Sequence, residues 1–153
     1  MRSFSQIYVM AVFGVKYRLG LINPQWEHKL HAVIGQALKD MPGVMPIEIG
    51  GFNDHVHVLF STTGRVSEEQ IVGRIKQEST RWVNANHLVC GRFGWQDGSG
   101  RFSYSKSQID AVRAYIRNQH EHHRRVSFRE EYEKYLRALG VDINTFVLPE
   151  DPV

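Results

Sequence analysis

Several features that restrict the class of a protein are absent or rare in this chain of 153 residues. No apolar run approaches the roughly 20 residues that a membrane-spanning helix needs, and the amino terminus lacks the pattern of a signal peptide. The only cysteine, Cys90, excludes an internal disulfide. We therefore expect a cytoplasmic protein without a membrane partner, in which Cys90 is a small buried residue rather than a nucleophile.

Length and composition predict a single domain over residues 1–153, with a short polar tail from about residue 141. Charge is unevenly distributed along that domain. Residues 74–125 contain ten Lys or Arg and four Asp or Glu, whereas residues 126–153 contain three and six. A basic central segment suits a polyanion such as nucleic acid, although a solvated basic surface would have the same composition.

Hydrophobic periodicity predicts an α+β fold, an antiparallel sheet with helices packed on it. Apolar runs typical of strands lie at residues 6–15, 45–52 and 55–61. Helical spacing is found at residues 24–41, 67–86, 107–124 and 128–139. The glycine-rich and aromatic residues 91–105 predict short strands and a loop. The resulting order, strand-helix-strand-strand-helix-strand, is ferredoxin-like.

Two histidines stand two residues apart in the third predicted strand, at His55 and His57. Because side chains along a strand alternate between faces, both histidines project to one side while Val56, Val58 and Phe60 project to the other. Two neighbouring imidazoles can bind a single metal ion. The chain has 8 histidines, so this spacing is a weak signal unless other residues supply partners.

The third predicted helix carries a second set of reactive groups. Ser107 and Asp110 predict a capping box at its start. At about 100° per residue, Tyr115, Gln119 and His122 fall on one face, which places a phenol, a carboxamide and an imidazole in one column. The same pattern fits a surface helix whose tyrosine packs at the edge of the core.

Six short motifs follow one another along nearly the whole chain. They are Lys16-Tyr17-Arg18, the segment 50–59 around the histidine pair, the Lys76, Ser79 and Trp82 triplet, Phe93-Gly94-Trp95-Gln96-Asp97-Gly98, Phe102-Ser103 with Ser105, and the helical segment 115–123. In order and spacing, these motifs resemble the single-tyrosine transposases of the HUH class, which move small bacterial insertion sequences as single-stranded DNA. The resemblance implies an HUH endonuclease type of ferredoxin-like fold.

The resemblance also implies a role for each reactive residue. Tyr115 would be the nucleophile, attacking a DNA phosphate to leave a 5′-phosphotyrosine and a free 3′-hydroxyl. His55, His57 and Gln119 would hold one divalent cation, Mg²⁺ or Mn²⁺. His122 remains an alternative third ligand, and no general base is evident.

Other tyrosines and histidines are expected to play lesser parts. Tyr104 is the main rival nucleophile, but it has no Gln or His at helical spacing. The remaining histidines are expected to be structural, and they are His28, His31, His87, His120 and His123.

Partners follow from the resemblance as well. The substrate would be single-stranded DNA with a hairpin, held by phosphate contacts and aromatic stacking. The family also implies a homodimer in which the tyrosine helix of one subunit serves the histidine pair of the other. Candidates for DNA contact are Arg74, Lys76, Arg81, Trp95 and Arg117.

Two other classes of function remain open. One is a related HUH endonuclease, acting in replication or relaxation, or domesticated to cut repeated palindromes in the genome of its host. The lack of a helicase-like extension argues against the replication role. The other is a ferredoxin-like module that binds nucleic acid without catalysis, in which His55 and His57 are incidental.

Overall fold

A computed structural model describes residues 1–141 of the chain, so the predicted polar tail lies outside the described residues. The strands are β1 (Ile7–Gly14), β2 (Val44–Gly51), β3 (His55–Thr62) and β4 (Gly100–Tyr104). The helices are α1 (Glu27–Lys39), α2 (Glu68–Ala85), α3 (Ile109–Arg117), α4 (Gln119–His122) and α5 (Phe128–Ala138). Within residues 1–141, no helix combines the length and the apolar character needed to span a membrane.

The four strands form one sheet in the order β2-β3-β1-β4, and every neighbouring pair is antiparallel. This order confirms the predicted α+β, ferredoxin-like class. In the ladder, His57 of β3 lies between Val12 of β1 and Gly50 of β2. The histidine pair therefore stands at the centre of the sheet rather than at an edge.

One face of the sheet is covered by α1 and α2 and is apolar. Val56, Val58 and Phe60 of β3 are fully buried there, as the predicted alternation requires. The helices contribute buried side chains at helical spacing, namely Leu30, Ile34, Leu38, Ile71, Ile75 and Val83. Each such side chain stabilises the fold by about 1.5–3 kcal/mol relative to an exposed position.

The opposite face is covered by α3 and α5. The apolar stripe of α3, predicted as Ile109, Val112 and Ile116, is buried here against Leu59 of β3. This second cluster also includes Met10, Phe128, Tyr132 and Leu136. His55 and His57 project to this side, between the strands and the two helices.

Gly50 allows α3 to approach the sheet closely. A Cβ atom at this position would lie 2.5 Å from the carbonyl oxygen of Ile116, a separation that real Cβ atoms do not tolerate. Because Gly50 is paired with His57 and Ile116 adjoins Tyr115 in sequence, the close approach sets α3 against the histidine pair.

The third predicted helix is shorter than expected and is interrupted. It ends at Arg117, and Asn118 (φ −93°, ψ 15°) separates it from the four-residue α4, so the prediction of one helix to residue 124 was wrong. Asparagine is a poor helix former, and the backbone N–H of Asn118 is shared between the carbonyls of Ala114 and Tyr115.

The cap of this helix also lies earlier than predicted. Ser105 and Gln108, not Ser107 and Asp110, form the capping box, because a short 3-10 turn (Lys106–Gln108) precedes α3. The capping box of Ser67 at the start of α2, by contrast, is present with Gln70.

Cys90 is exposed, contrary to the expectation that it would be buried. It follows α2 in the connection to β4, shortly after His87, whose φ of 51° turns the chain away from the helix. In the glycine-rich stretch that follows, β4 and an isolated bridge between Val15 and Trp95 supply the predicted short strands.

Candidate active site

His55 is held rigidly at the start of β3. Its Nδ1 lies 2.8 Å from Asp54 Oδ1, and a carboxylate can only accept, so Nδ1 donates this hydrogen bond and Nε2 faces the interior of the site. The ring of Phe128 stacks on His55 with 4.2 Å between centroids. His57 is equally buried, with its ring centroid 5.2 Å from that of His55.

A third imidazole, His123, joins this pair, although the sequence placed it among the structural histidines. Its Nδ1 lies 2.6 Å from the carbonyl oxygen of Val126, which can only accept, so Nδ1 donates there and Nε2 faces the cluster. The Nε2 atom lies 2.9 Å from Gln119 Oε1 and 3.3 Å from Glu131 Oε1. His123 therefore lies within this cluster, whereas the sequence predicted only a structural histidine.

Gln119 is buried, with 1% of its surface exposed. Its amide nitrogen donates to Glu131 Oε2 at 3.1 Å, which turns its oxygen towards the imidazoles. That oxygen lies 2.9 Å from the Nε2 atoms of both His55 and His123. The amide thus presents an oxygen lone pair to the same point as the histidines.

Glu131 lies at the centre of the site with only 3% of its surface exposed. Its Oε1 is 3.0 Å from His57 Nε2 and 3.6 Å from His55 Nε2. Burial by itself raises the pKa of this carboxyl group, but hydrogen bonds from His123 and His57 outweigh it and hold the pKa below its usual range. Glu131 is therefore a carboxylate at neutral pH.

Tyr115 meets the histidine cluster through Glu131. Its hydroxyl donates to Glu131 Oε2 and lies 3.4 Å from His122 Nε2. Its ring centroid is 5.8 Å from that of His57 in the same chain. Burial, reinforced by the hydrogen bond to Glu131, raises the pKa of this phenol, so Tyr115 stays protonated at neutral pH.

The predicted column of Tyr115, Gln119 and His122 does converge on one point, despite the break in the helix at Asn118. All three side chains contact Glu131, with His122 Nε2 at 3.2 Å from Oε2. Burial lowers the pKa of His122 in spite of the nearby carboxylate.

The side chains of His55, His57, His123 and Glu131 could bind a metal ion. Their ligand atoms all lie within 4.8 Å of one another. Imidazole nitrogens and a carboxylate oxygen are common ligands of divalent transition metals, and neutral imidazoles with Nδ1 held by an acceptor are typical of metal sites. The donor set therefore fits a divalent cation.

A weak sequence signal marks both residues that were missed. Glu131 occupies the buried face of α5 between Phe128 and Tyr132, where an apolar residue is expected. An acid at such a position needs a compensating partner. His123 follows Gln119 by four residues, which is one helical turn.

The other histidines lie apart from the cluster. His120 Nε2 lies 2.9 Å from both carboxylate oxygens of Glu27. Burial is the main cause that lowers the pKa of His31 to about 4. Neither has a ligand atom in the group of four described above.

Two of the five candidate DNA contacts serve the protein interior. Lys76 Nζ donates to the carbonyl oxygens of Gln96 and Gly98, at 2.8 Å and 2.6 Å. Trp95 is buried, and its indole N–H donates to Ser79 Oγ at 2.9 Å. As placed, both residues anchor the loop that precedes β4, and Trp95 offers no face on which a base could stack.

The three arginine candidates lie on the surface. Arg74 and Arg81 flank Glu78 on α2, each at 3.3 Å from a carboxylate oxygen. Arg117 Nε lies 2.8 Å from Glu48 Oε1 on the other side of the sheet. Exposed pairs of this kind hold their partners weakly, so these guanidinium groups can exchange a carboxylate for a phosphate.

The chain is similar to two solved structures. A candidate transposase from Deinococcus radiodurans R1 is 18% identical, with a TM-score of 0.60, and the match covers 78% of this chain and 95% of that one. A REP-associated tyrosine transposase, bound to a REP hairpin, is 13% identical, with a TM-score of 0.59 and coverage of 80% and 72%. These likenesses confirm the predicted fold class, an antiparallel α+β fold.

Comparison by sequence is more specific. None of the curated proteins matches the chain significantly. The sequence profile of the family described as "Transposase IS200 like" matches residues 3–119, a stretch that contains every predicted site residue from His55 to Gln119. The profile match confirms the resemblance drawn from the motifs, and the chain belongs to the IS200-like transposase family.

Proposed function

We propose that this protein cuts and rejoins single-stranded DNA at the ends of an insertion sequence, with Tyr115 as the nucleophile. The observation that carries the proposal is the hydrogen bond from the Tyr115 hydroxyl to Glu131, which connects the phenol to His57 and its neighbours within one chain. Membership of a transposase family supports DNA as the substrate.

In the proposed step, the phenol oxygen of Tyr115 attacks a DNA phosphorus atom opposite the bond to the 3′ oxygen. A bond between phosphorus and the tyrosine oxygen forms, and the bond to the 3′ oxygen breaks. The phenol loses its proton and the departing 3′ oxygen gains one, which leaves a 5′-phosphotyrosine and a 3′-hydroxyl. Because the phosphodiester energy is conserved, the 3′-hydroxyl of another strand can reverse the step without ATP.

The raised pKa of Tyr115 means that the free enzyme holds its nucleophile in an unreactive form. A bound divalent cation, Mg²⁺ or Mn²⁺, would offset the charge that develops on the phosphoryl oxygens. His55, His57 and Gln119 are the family ligands that would hold it, since His55 Nε2 and Gln119 Oε1 already lie 2.9 Å apart. His55 is kept in the required tautomer by Asp54.

The DNA would lie along basic surfaces near the site. Arg117 directly follows the helix turn that carries Tyr115, and Arg74 and Arg81 extend along α2. We propose these three as phosphate contacts, while Lys76 and Trp95 act by supporting the loop at residues 96–98. A neighbouring structure that holds a hairpin is consistent with a structured single-stranded substrate.

Tyr115 and the histidine pair meet within one chain here, whereas the family implies an exchange between subunits. A homodimer with shared sites would require Tyr115 to leave Glu131 and reach the partner. Mixing the Tyr115→Phe and His57→Gln proteins tests this arrangement. Restored cleavage in the mixture supports sites shared between subunits, and no restoration supports sites complete within one chain.

A second candidate function is a domesticated endonuclease that cuts repeated palindromes. The observation that favours it is the likeness to a transposase bound to a REP hairpin. Scattered genomic palindromes around a lone gene would support this role. Palindromes just inside the ends of a mobile element would support transposition instead.

Trapping of a covalent protein–DNA adduct tests the nucleophile. Wild type, Tyr115→Phe and the control Tyr104→Phe are incubated with Mn²⁺ and labelled hairpin oligonucleotides taken from DNA flanking the gene. We expect adducts with wild type and Tyr104→Phe but none with Tyr115→Phe, although all three bind the DNA. Cleavage by Tyr115→Phe would show that another residue attacks. Failure of the wild type to bind or cut any such DNA would contradict the enzymatic role.

A further inference from the structure

We propose that His123 and Glu131, which follow the segment matched by the family profile, complete the metal site, and that Glu131 bridges the cation to Tyr115. The inference rests on the proposed function of this site and extends its ligand set. Residues 3–119 supply His55, His57 and Gln119, whereas His123 and Glu131 belong to the segment after them. Helix α5 thereby becomes part of the catalytic centre rather than a cover for the sheet.

Three side chains of the site direct polar atoms towards one point. His55 and His123 donate their Nδ1 protons to Asp54 and to the carbonyl of Val126, which directs both Nε2 atoms towards the centre of the site. Both nitrogens lie 2.9 Å from Gln119 Oε1. Metal ligation requires deprotonated imidazole nitrogens, and these two would then direct their lone pairs, with that of Gln119 Oε1, towards one point.

The distances between the polar atoms of the site match those between ligands of a bound ion. Ligand atoms about 2.0–2.2 Å from a common ion are separated from one another by roughly 3.0–3.6 Å in tetrahedral or octahedral geometry. Glu131 Oε1 lies 3.0, 3.3 and 3.6 Å from the Nε2 atoms of His57, His123 and His55. These three separations are those of neighbouring ligands around one ion.

The two carboxylate oxygens of Glu131 contact different groups. Oε1 faces the three imidazoles, while Oε2 accepts from the Tyr115 hydroxyl and from the Gln119 amide. A single buried carboxylate is thus shared between the metal ligands and the nucleophile. Glu131 acts as a metal ligand and as a positioning residue for Tyr115.

The chemistry of this donor set narrows the metal. Three imidazoles and one carboxylate favour a transition ion such as Mn²⁺. Mg²⁺ binds oxygen ligands in near-ideal octahedral geometry and retains waters, which three nitrogen ligands do not suit. The site should therefore bind Mn²⁺ more tightly than Mg²⁺.

Calorimetric titration of the metal-free full chain with Mn²⁺ and with Mg²⁺ tests the assignment. Glu131→Gln keeps the shape of the side chain and removes its charge. If this variant does not fold, Glu131→Asp replaces it, because the shorter side chain keeps the charge but moves the carboxylate away from the imidazoles. His123→Asn keeps a donor for the carbonyl of Val126 and removes Nε2. The matched control is Glu130→Gln, the exposed neighbour on α5.

We expect wild type and Glu130→Gln to bind Mn²⁺ equally, and the Glu131 and His123 variants to bind it at least ~10-fold more weakly. Unchanged Mn²⁺ affinity in the Glu131 and His123 variants, with loss in His57→Gln, would overturn this inference and leave the proposed function intact. Equal or tighter binding of Mg²⁺ by the wild type would also overturn it. Failure of the proposed function itself has a separate signature, which is DNA cleavage by Tyr115→Phe.

Discussion

The two faces of the sheet use the same strands for different ends. On the side of α1 and α2, Val56, Val58 and Phe60 meet apolar helix residues, and the contacts are ones of shape and burial. On the side of α3 and α5, the alternate residues His55 and His57 meet a glutamine and a glutamate. One face of β3 therefore contributes apolar packing to the core, while the opposite face carries the polar groups of the candidate site.

This division has an energetic cost on the reactive side. Burying the carboxylate of Glu131 is unfavourable unless hydrogen bonds and opposite charge compensate it, and four histidines surround it within 3.6 Å. The apolar side needs no such compensation. We therefore expect substitutions on the two faces to affect different measurements.

The largest expected effect is on the reactive face. Replacing His57 by Gln removes a buried imidazole that we propose as a metal ligand, while retaining an amide that can donate to Glu131. We expect single-strand cleavage with Mn²⁺ to fall at least about 10³-fold, because residues that act as a catalytic unit have large single effects. The rate is measured with labelled hairpin DNA, and circular dichroism checks that the fold is retained.

The exposed histidine of α1, His28, provides the control, since His28→Gln should leave cleavage unchanged. Comparable loss in both variants would show that cleavage depends on histidine content in general. The distinction between the two faces would then fail.

Next in size is a substitution on the apolar face. Phe60 is fully buried beneath α1 and α2, so Phe60→Ala should lower the free energy of unfolding by about 3–5 kcal/mol. Urea denaturation measures this change. The exposed Met45→Ala should change stability by less than about 0.5 kcal/mol.

The metal affinity of the folded fraction of Phe60→Ala tests whether the two faces of the sheet are independent. The metal affinity of that fraction should equal the wild-type value, because Phe60 and the histidines face opposite sides of β3. A large loss of metal affinity would mean that the two faces are mechanically coupled.

The smallest effect is a pH dependence that belongs to α1. Burial is the main cause that lowers the pKa of His31 to about 4 in the folded protein, whereas an unfolded histidine titrates near 6.5. Between these values the unfolded chain binds the extra proton, so this contribution to stability is lost as pH falls from 6.5 towards 4. The slope should approach about 1.4 kcal/mol per pH unit.

Urea denaturation at a series of pH values, for wild type and His31→Gln, measures this difference. The wild type should lose more stability than the variant over this window, and the difference should vanish above pH 7. Parallel pH profiles for the two proteins would assign the acid sensitivity to other groups.

The sequence predicted the half of the site that is local. Alternation along β3 placed His55 and His57 on one face, and helical spacing placed Tyr115, Gln119 and His122 together. These inferences depend only on the periodicities of strand and helix, which hold whatever the rest of the chain does.

The other half depends on docking of distant elements, which periodicity does not describe. Glu131 reaches the site because α5 packs beside α3, and His123 reaches it because the chain bends at Asn118. Trp95 and Lys76 were predicted as DNA contacts from their residue types, whereas in the structure Trp95 is buried against Ser79 and Lys76 donates to backbone carbonyls. Motif resemblance identified the family correctly but gave no role to His123 or to Glu131.

The glycine at position 50 has a final consequence for how the site is kept in order. Helix α3 packs directly on the backbone of Gly50, so the absence of a Cβ atom there sets the distance between Tyr115 and the imidazoles. Any side chain at residue 50 would displace α3 from the sheet. The spacing of the groups in the candidate site thus depends on the lack of a side chain at residue 50 rather than on an additional contact.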